Sequence, residues 1–374
     1  MIATIKLCLK PTKEQEELFW QFGGTARWAY NQSLDFWNKY YEKYNESPSL
    51  QDLLENIRDL KYSGEYDWLL KAPEAITKQA CKDLQVAFKN FFRGTSRYPN
   101  FKKKYKSSTS FYQRTDKFRV VDDKHIKITG IKQPVKVGKL NRNLLCYLEN
   151  VKNPRIKFDG KYWYFTCGIE VPSFQNNVSG NLGVDLGIKH LAYCSDGVVY
   201  ENINYSNTVK KLKRRLKLLQ RRLSRKYEVN RIGNKYNKTK NIIKLENKIW
   251  LIHRRLRNIR DTYLHQVTYQ IVSRAKNICI EDLNVSGMLK NKHLSRAISE
   301  QCFYKFRQYL DYKCSLYGSN IKIADRFYPS SKRCSCCGNI KKDLKLSDRT
   351  YVCNQCGAIL DRDYNASLNL LACI

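Results

Sequence analysis

The stretch GVDLGIKHLAYCSDG, residues 183–197, carries an ionisable side chain at an otherwise apolar strand position. Its pattern predicts a β-hairpin with Asp185 in the first strand, between Val184 and Leu186. A lone carboxylate is costly to bury there, so it must be paired or hold a metal ion. Taken alone, Asp185 reads better as a backbone-capped turn residue, and Gly183 and Gly187 add only a weak hint of close approach by backbone or phosphate. Two further segments change that balance. AKNICIEDLNVSGM (275–288) is a second apolar strand with Glu281 and Asp282 at its carboxyl end. Adjacent strand residues face opposite ways, so only one of the two can join Asp185. LDRDYNASLNLLACI (360–374) opens a helix, with Asp361 as N-cap and Asp363 inside the first turn. Two apart, these do not share a helix face, and the pattern leaves open which of them faces the strands. Three acids in this setting suit two divalent ions about 4 Å apart, which activate a water and stabilise a leaving 3′ oxygen. Oxygen ligands select Mg²⁺ or Mn²⁺ over zinc.

The most specific local signal is Cys334-x-x-Cys337, fifteen residues, then Cys353-x-x-Cys356, each pair followed by glycine (Gly338, Gly357). This is a zinc-ribbon spacing, and four thiolates leave zinc no open position, so the expected site is structural. Cys336 lies inside the knuckle as a possible spare ligand but fits neither pair's spacing. The remaining cysteines of the 14 mostly sit among apolar neighbours and read as small buried hydrophobes, not as a disulfide framework. The five histidines form no recognisable catalytic motif.

Composition sets the partner class. Lys and Arg number 69 against 34 Asp and Glu, a formal charge of +35 that is spread along the chain. So strong a positive field opposes compaction unless a polyanion neutralises it, which points to nucleic acid with a membrane surface a distant second. A hydrophobic content of 42% and 26 tyrosines exclude wholesale disorder. No apolar run approaches the roughly 18 residues of a membrane span, and the start of the chain lacks the pattern of a signal peptide. The expected location is the prokaryotic cytoplasm, with the nucleoid.

Outward from these motifs, residues 2–9 alternate as a strand, and Thr12 with Gln15 forms a capping box that starts a helical region reaching about residue 94. FKNFFRGTSRYPNFKKKYK (88–106) mixes aromatics with cations, suited to phosphate contact and base stacking; Lys102, Lys103 and Lys104 are its candidate nucleic-acid contacts. Snorkelling lysines at a helix end explain the first half of that segment about as well. Short strands follow from about 109 to 173, with turn signals that suggest a small antiparallel barrel. Val209, Leu212, Leu216, Leu219 and Leu223, then Ile242, Leu245, Ile249, Ile252, Leu256 and Ile259, repeat at heptad spacing and predict a helical hairpin over 208–272. Lys210, Lys211, Arg214, Arg215, Arg254 and Arg255 lie off that seam. A plain coiled coil would balance charges of both signs, so these faces are expected to follow a phosphate backbone.

Taken together, the KPTKEQ start, YPNFKKK, GVDLGIKHLA, the SRK at 224–226, IEDLNVSGM, YPSSKRCSCCG…CNQCG and DRDYNASLNLL resemble the TnpB family of insertion-sequence-encoded, RNA-guided DNA nucleases, relatives of the type V CRISPR effectors. The resemblance spans nearly the whole chain. It implies catalytic, Mg²⁺-holding acids at Asp185, Glu281 and Asp363, so preferring Asp363 over Asp361, and zinc ligands at Cys334, Cys337, Cys353 and Cys356. It implies a multidomain α/β fold: a wedge β-barrel (1–10 and 107–175) interrupted by a helical recognition domain (11–106), then a RuvC-like, RNase H-type nuclease domain (180–328 and 358–374) with an inserted zinc ribbon (329–357). The implied partners are a guide RNA from the protein's own element and double-stranded target DNA beside a short flanking motif, with one chain on one RNA. Two alternatives accompany this reading: a DNA-joining transposase, for which no histidine-hydrophobic-histidine motif is present, and a catalytically silent RNA-guided binder, which the presence of all three acids disfavours.

Overall fold

The structure is a computed structural model that describes residues 2–104, 108–138, 146–172, 174, 178–345 and 348–374. Tyr105 and Lys106 of the basic block, and the expected boundaries at 107 and 175, lie outside the described residues. The chain divides into two compact units, Met1–Val171 and Pro172–Ile374.

In the first unit, β1 (Ile2–Lys10) leads into α1 (Lys13–Tyr44), α2 (Leu50–Tyr62) and α3 (Glu74–Phe92). The capping box at Thr12 and Gln15 is formed in both directions, through the Gln15 amide to Thr12 Oγ1 and the Thr12 amide to Gln15 Oε1. Leu34, Trp37, Leu53, Ile57, Leu84 and Phe88 bury the apolar stripes of the three helices together, with Trp37 stacked on Phe88 at 3.9 Å. The chain then returns as β2 (Ser110–Tyr112), β3 (Arg119–Asp122), β4 (His125–Lys127), β5 (Val135–Val137), β6 (Lys152–Phe158) and β7 (Trp163–Glu170). These join β1 in one antiparallel sheet of order β2-β6-β7-β1-β5-β4-β3. The first strand of the chain thus lies mid-sheet between β7 and β5. No ladder among the described residues joins β2 to β3, so the recorded order has two ends where a closed barrel would have none. Phe19 and Phe22 of α1 pack on Phe111, Ile126, Trp163 and Phe165 of this sheet.

The second unit begins with the hairpin read from GVDLGIKH: β8 (Asn181–Leu186) and β9 (His190–Cys194), followed by β10 (Val199–Glu201). Next come α4 (Asn207–Val229), the two-residue strands β11 (Arg231–Ile232) and β12 (Lys235–Tyr236), and α5 (Lys240–Val272). The heptad seam is real: Val209, Leu212, Leu216 and Leu219 meet Ile252 and Leu256, flanked by Leu245, Ile249 and Ile259. The turn of this helical hairpin is itself a miniature β-hairpin. Beyond the seam α5 continues into the core, burying Leu264, Val267, Ile271 and Val272. After it come β13 (Asn277–Ile280), α6 (Val285–Met288), α7 (Ser295–Gln301), α8 (Phe303–Tyr317) and β14 (Asn320–Ile323), then β15 (Thr350–Val352), β16 (Ile359–Asp361) and α9 (Arg362–Leu371). The central sheet has the order β10-β9-β8-β13-β14, antiparallel on the hairpin side and parallel from β8 to β14. One face packs on α5 and α8; the other receives α9.

Candidate functional site

Strand alternation decides which acids meet. Leu182, Val184, Leu186, Ile278 and Ile280 point into the apolar core under α5 and α8, so Gly183, Asp185, Cys279 and Glu281 take the opposite face. The parallel register sets Cys279 beside Gly183 and Ile280 beside Val184, so the next pair in line is Glu281 with Asp185. That face is covered by α9. A Cβ on Gly183 would lie 2.0 Å from the carbonyl oxygen of Ser367 and 2.4 Å from the amide nitrogen of Leu371, so only glycine lets the helix backbone sit directly on β8. The close approach hinted at by this glycine is therefore by the protein's own last helix. It brings Asp363, in the first turn of α9, over the strand ends.

The electrostatics at Asp185 involve all three acids. Burial pushes the Asp185 carboxyl well above the usual carboxylate range, and its hydrogen-bonded neighbour Glu281 and then Asp363 push it further. Arg362 opposes them, and its guanidinium donates to Asp363 Oδ1 at 3.2 and 3.3 Å, with both side chains 15% exposed. Glu281 accepts a hydrogen bond from the buried Ser330 hydroxyl at 2.6 Å. Glu281 and Asp363 thus add negative charge at Asp185 and Arg362 offsets part of it. Among the described residues, however, the only set of three or more possible ligands drawn close enough to hold one ion is Cys334, Cys337, Cys353 and Cys356. The two residues left open in sequence have other employment. Asp282 faces away and accepts from Arg307 at 2.9 Å and Arg326 at 2.6 Å. Asp361 is the N-cap of α9, accepting from the amides of Asp363 and Tyr364. Arg362 and Ser330 were missed by sequence reasoning. Arg362 adjoins Asp363 and could have been flagged, whereas nothing local to Ser330 announces its distant acceptor.

The four cysteines form a separate cluster. The sulfurs of Cys334, Cys337, Cys353 and Cys356 all lie within 4.8 Å of one another, with Cys334–Cys356 at 3.7 Å and Cys337–Cys353 at 3.5 Å. Thiolates about 2.3 Å from a tetrahedral zinc are spaced by a little under 4 Å, so the set fits zinc. Gly338 and Gly357 adopt φ of 77° and 74°, the left-handed turn that lets each knuckle close back on the carbonyls of Cys334 and Cys353. Backbone N–H groups of Cys356 and Gln355 draw the Cys353 thiol down to about 6. Cys336 is exposed and outside the set.

The basic candidates divide by environment. Lys103, Lys104, Lys210, Lys211, Arg214, Arg215 and Arg255 are exposed, and Arg254 is half-buried. Lys102 is drawn inward: its backbone pairs with Asn31 and its ammonium lies 3.5 Å over the Tyr30 ring, where burial lowers its pKa. Lys213, between the exposed cations of α4, is tied to Glu300.

Known proteins resemble this chain in sequence and in fold. A model described as "Probable transposase" (OrfB_IS605) matches residues 164–292, a "Cas12f1-like, TNB domain" model matches 303–370, and a "Helix-turn-helix domain" model of the same OrfB_IS605 group matches 1–46. Residues 13–44 of that last segment form one continuous helix. The chain is 29% identical over 365 residues to a "Putative RNA-guided DNA endonuclease" of Streptomyces pristinaespiralis, covering 97% of this chain and 87% of that one. It is 30% identical over 389 residues to InsQ of Escherichia coli K12, given the same description, covering 99% and 92%. Among solved structures, the Cas12f1-sgRNA-target DNA complex superposes with a TM-score of 0.62 at 16% identity, over 96% of this chain and 83% of that one, a likeness of fold. The chain belongs to the TnpB family of insertion-sequence-encoded, RNA-guided DNA endonucleases.

Proposed function

We propose that this protein cuts double-stranded DNA under the direction of a guide RNA, with Asp185, Glu281 and Asp363 as its catalytic acids. The observation that carries this reading is that residues from β8, the end of β13 and α9 act on one carboxyl group: Glu281 and Asp363 both raise the proton affinity of buried Asp185. These three side chains would hold the Mg²⁺ or Mn²⁺ ions, which when bound supply an activated water and charge stabilisation at the departing 3′ oxygen. Asp185 lies in β8 and Glu281 directly follows β13, each one residue beyond the last pair of their parallel register. The seat of α9 on Gly183 positions Asp363, an arrangement that would preorganise the acids. Arg362 limits their mutual repulsion before cations enter. The knuckle, with four sulfurs and no open position, serves as a structural zinc site.

Specificity would come from pairing between guide and target strand, the protein reading duplex shape and a short flanking motif. The exposed cations of α4 and α5 and of residues 103–104 are assigned to phosphates of that scaffold and heteroduplex. In this reading the sheet around β1 is the wedge, α1–α3 the recognition helices and the second unit the nuclease, with one chain acting on a guide transcribed from its own element. The names of the relatives, and RNA and target DNA in the similar solved complex, support these partners. Among the described residues no helix is long and apolar enough to cross a membrane.

The test is to express the protein with its genomic flanks, sequence the co-purifying RNA and challenge the particle with a randomised target library in Mg²⁺. Asp185→Ala, Glu281→Ala and Asp363→Ala should each abolish cleavage and leave RNA retention intact. Cleavage that survives all three single changes refutes the assignment.

A further inference from the structure

We propose that Ser330 is the positioning residue of Glu281, and that through it the cysteine knuckle is coupled to the acidic cluster. This inference rests on the nuclease reading above. Ser330 is 7% exposed and lies between β14 and Cys334, in a segment with no regular secondary structure. Such a segment holds a side chain in place only if it is itself held. Here the anchors are two asparagines in the apolar face of α9, Asn365 and Asn369, both essentially buried. Asn369 Nδ2 donates to the carbonyls of Ser330 at 2.8 Å and Arg333 at 2.6 Å. Asn365 Nδ2 donates to the Arg333 carbonyl at 2.7 Å, and its Oδ1 accepts the Ser335 amide at 2.9 Å. Tyr328 closes the clamp, its hydroxyl donating to the Asn369 carbonyl at 3.1 Å.

Residues 330–335 are therefore pinned along the helix that carries Asp363, and near one end of the pinned segment is Cys334, itself a member of the sulfur cluster. From the other end the Ser330 hydroxyl reaches across to Glu281 Oε1. On the far side of the same strand end, Asp282 is gripped by Arg307 and Arg326, so the backbone that presents Glu281 is immobilised as well. A carboxylate that accepts a buried hydroxyl on one oxygen cannot rotate about its last torsion without leaving that donor unsatisfied. Ser330 thus sets the direction of the Glu281 carboxylate towards Asp185. The buried asparagines of DRDYNASLNLL, which an apolar helix face does not call for, acquire a purpose: they carry the knuckle's position to the acids.

Outer groups that orient a metal-binding carboxylate typically change metal affinity or activity by about 10–100-fold when removed. The variants are Ser330→Ala, which deletes the donor, and Ser330→Thr, which keeps it, with Glu281→Ala as reference. Mn²⁺ binding to the full chain is followed by electron paramagnetic resonance, the signal remaining in Glu281→Ala being taken as background. Cleavage by the guide-loaded protein is titrated with Mg²⁺. Ser330→Ala should shift the Mg²⁺ midpoint upward by about 10-fold or more and weaken Mn²⁺ binding in parallel, with guide retention and melting temperature near wild type. Ser330→Thr should restore both. An unchanged Mg²⁺ midpoint in Ser330→Ala overturns the inference, and so does a general loss of folding and RNA retention without a selective metal defect. Full cleavage by Glu281→Ala would instead bring down the nuclease assignment beneath it.

Discussion

Replacing Gly183 by alanine introduces a methyl carbon 2.0 Å from the Ser367 carbonyl oxygen and 2.4 Å from the Leu371 amide nitrogen. Both neighbours are backbone, so no side chain can rotate out of the way, and α9 must lift from β8 by about 1 Å or more to restore van der Waals distance. Overpacking of this kind costs typically about 1–3 kcal/mol, and the rigidity of both neighbours places this case at the upper end. For a unit of this size each kcal/mol lowers Tm by roughly 2–4 °C, so the expected drop is about 6–12 °C. The functional consequence is larger than the thermal one. Asp363, the third acid of the proposed site, rides on the displaced helix, and a misplacement of about 1 Å at a catalytic group costs on the order of 10²-fold in rate. Gly187→Ala is the companion variant: on the same hairpin its methyl group meets only the His190 carbonyl, at 3.2 Å, and a shift of tenths of an ångström relieves it. Calorimetry of the purified chain and single-turnover cleavage by the guide-loaded protein measure the two effects. A Gly183→Ala protein with wild-type Tm and wild-type cleavage would refute the claim that the seat of α9 on β8 sets the acidic cluster.

Asp185→Asn should abolish cleavage and yet stabilise the protein in the absence of divalent ions. The folded-state pKa of Asp185 is raised, so its carboxyl favours the fold at low pH, and that contribution is lost as pH climbs above the unfolded value of about 4. Melting curves with chelator at pH 8 should show the asparagine variant above wild type, and a lower Tm would contradict the buried-charge account. Cys353→Ser should reduce bound zinc, measured by elemental analysis, from about one ion per chain to near none. It should also open residues 334–357 to proteolysis, because closure of the knuckle and metal binding are one event. Lys102→Gln and Lys104→Gln should separate: the first loses the cation–π contact on Tyr30, worth about 1 kcal/mol, and shows mainly in stability. The second should reduce the salt slope of guide-RNA binding by about 1, read from affinities at several ionic strengths.

The structural reasons for these outcomes differ in how far they could be read in advance. The Thr12 capping box, the seam of the basic hairpin and the four-cysteine set depend on neighbours a few residues away or on a repeated spacing. Each was legible because helix periodicity and knuckle geometry are local. The acids were legible as residues out of place in apolar segments, but not as a site. Glu281 and Asp282 follow directly on β13, and which way each points is set by the packing of Ile278 and Ile280 beneath α5 and α8. Family resemblance preferred Asp363, and the physical counterpart is that the Asp361 side chain is consumed in capping the helix.

Sequence alone determined the chemistry on offer: a strongly basic chain, three acids in apolar settings, four thiols at zinc spacing and a cationic helical hairpin. Such features rest on composition and short-range periodicity, which survive without knowledge of the fold. Tertiary structure decided what touches what. The parallel pairing of β8 with β13 and the direct seat of α9 on Gly183 bring together carboxylates separated by nearly the whole second unit. The reach of Ser330 to Glu281 belongs to the same class. Contacts between distant segments are fixed by register and close packing, and neither leaves a periodic trace in the chain.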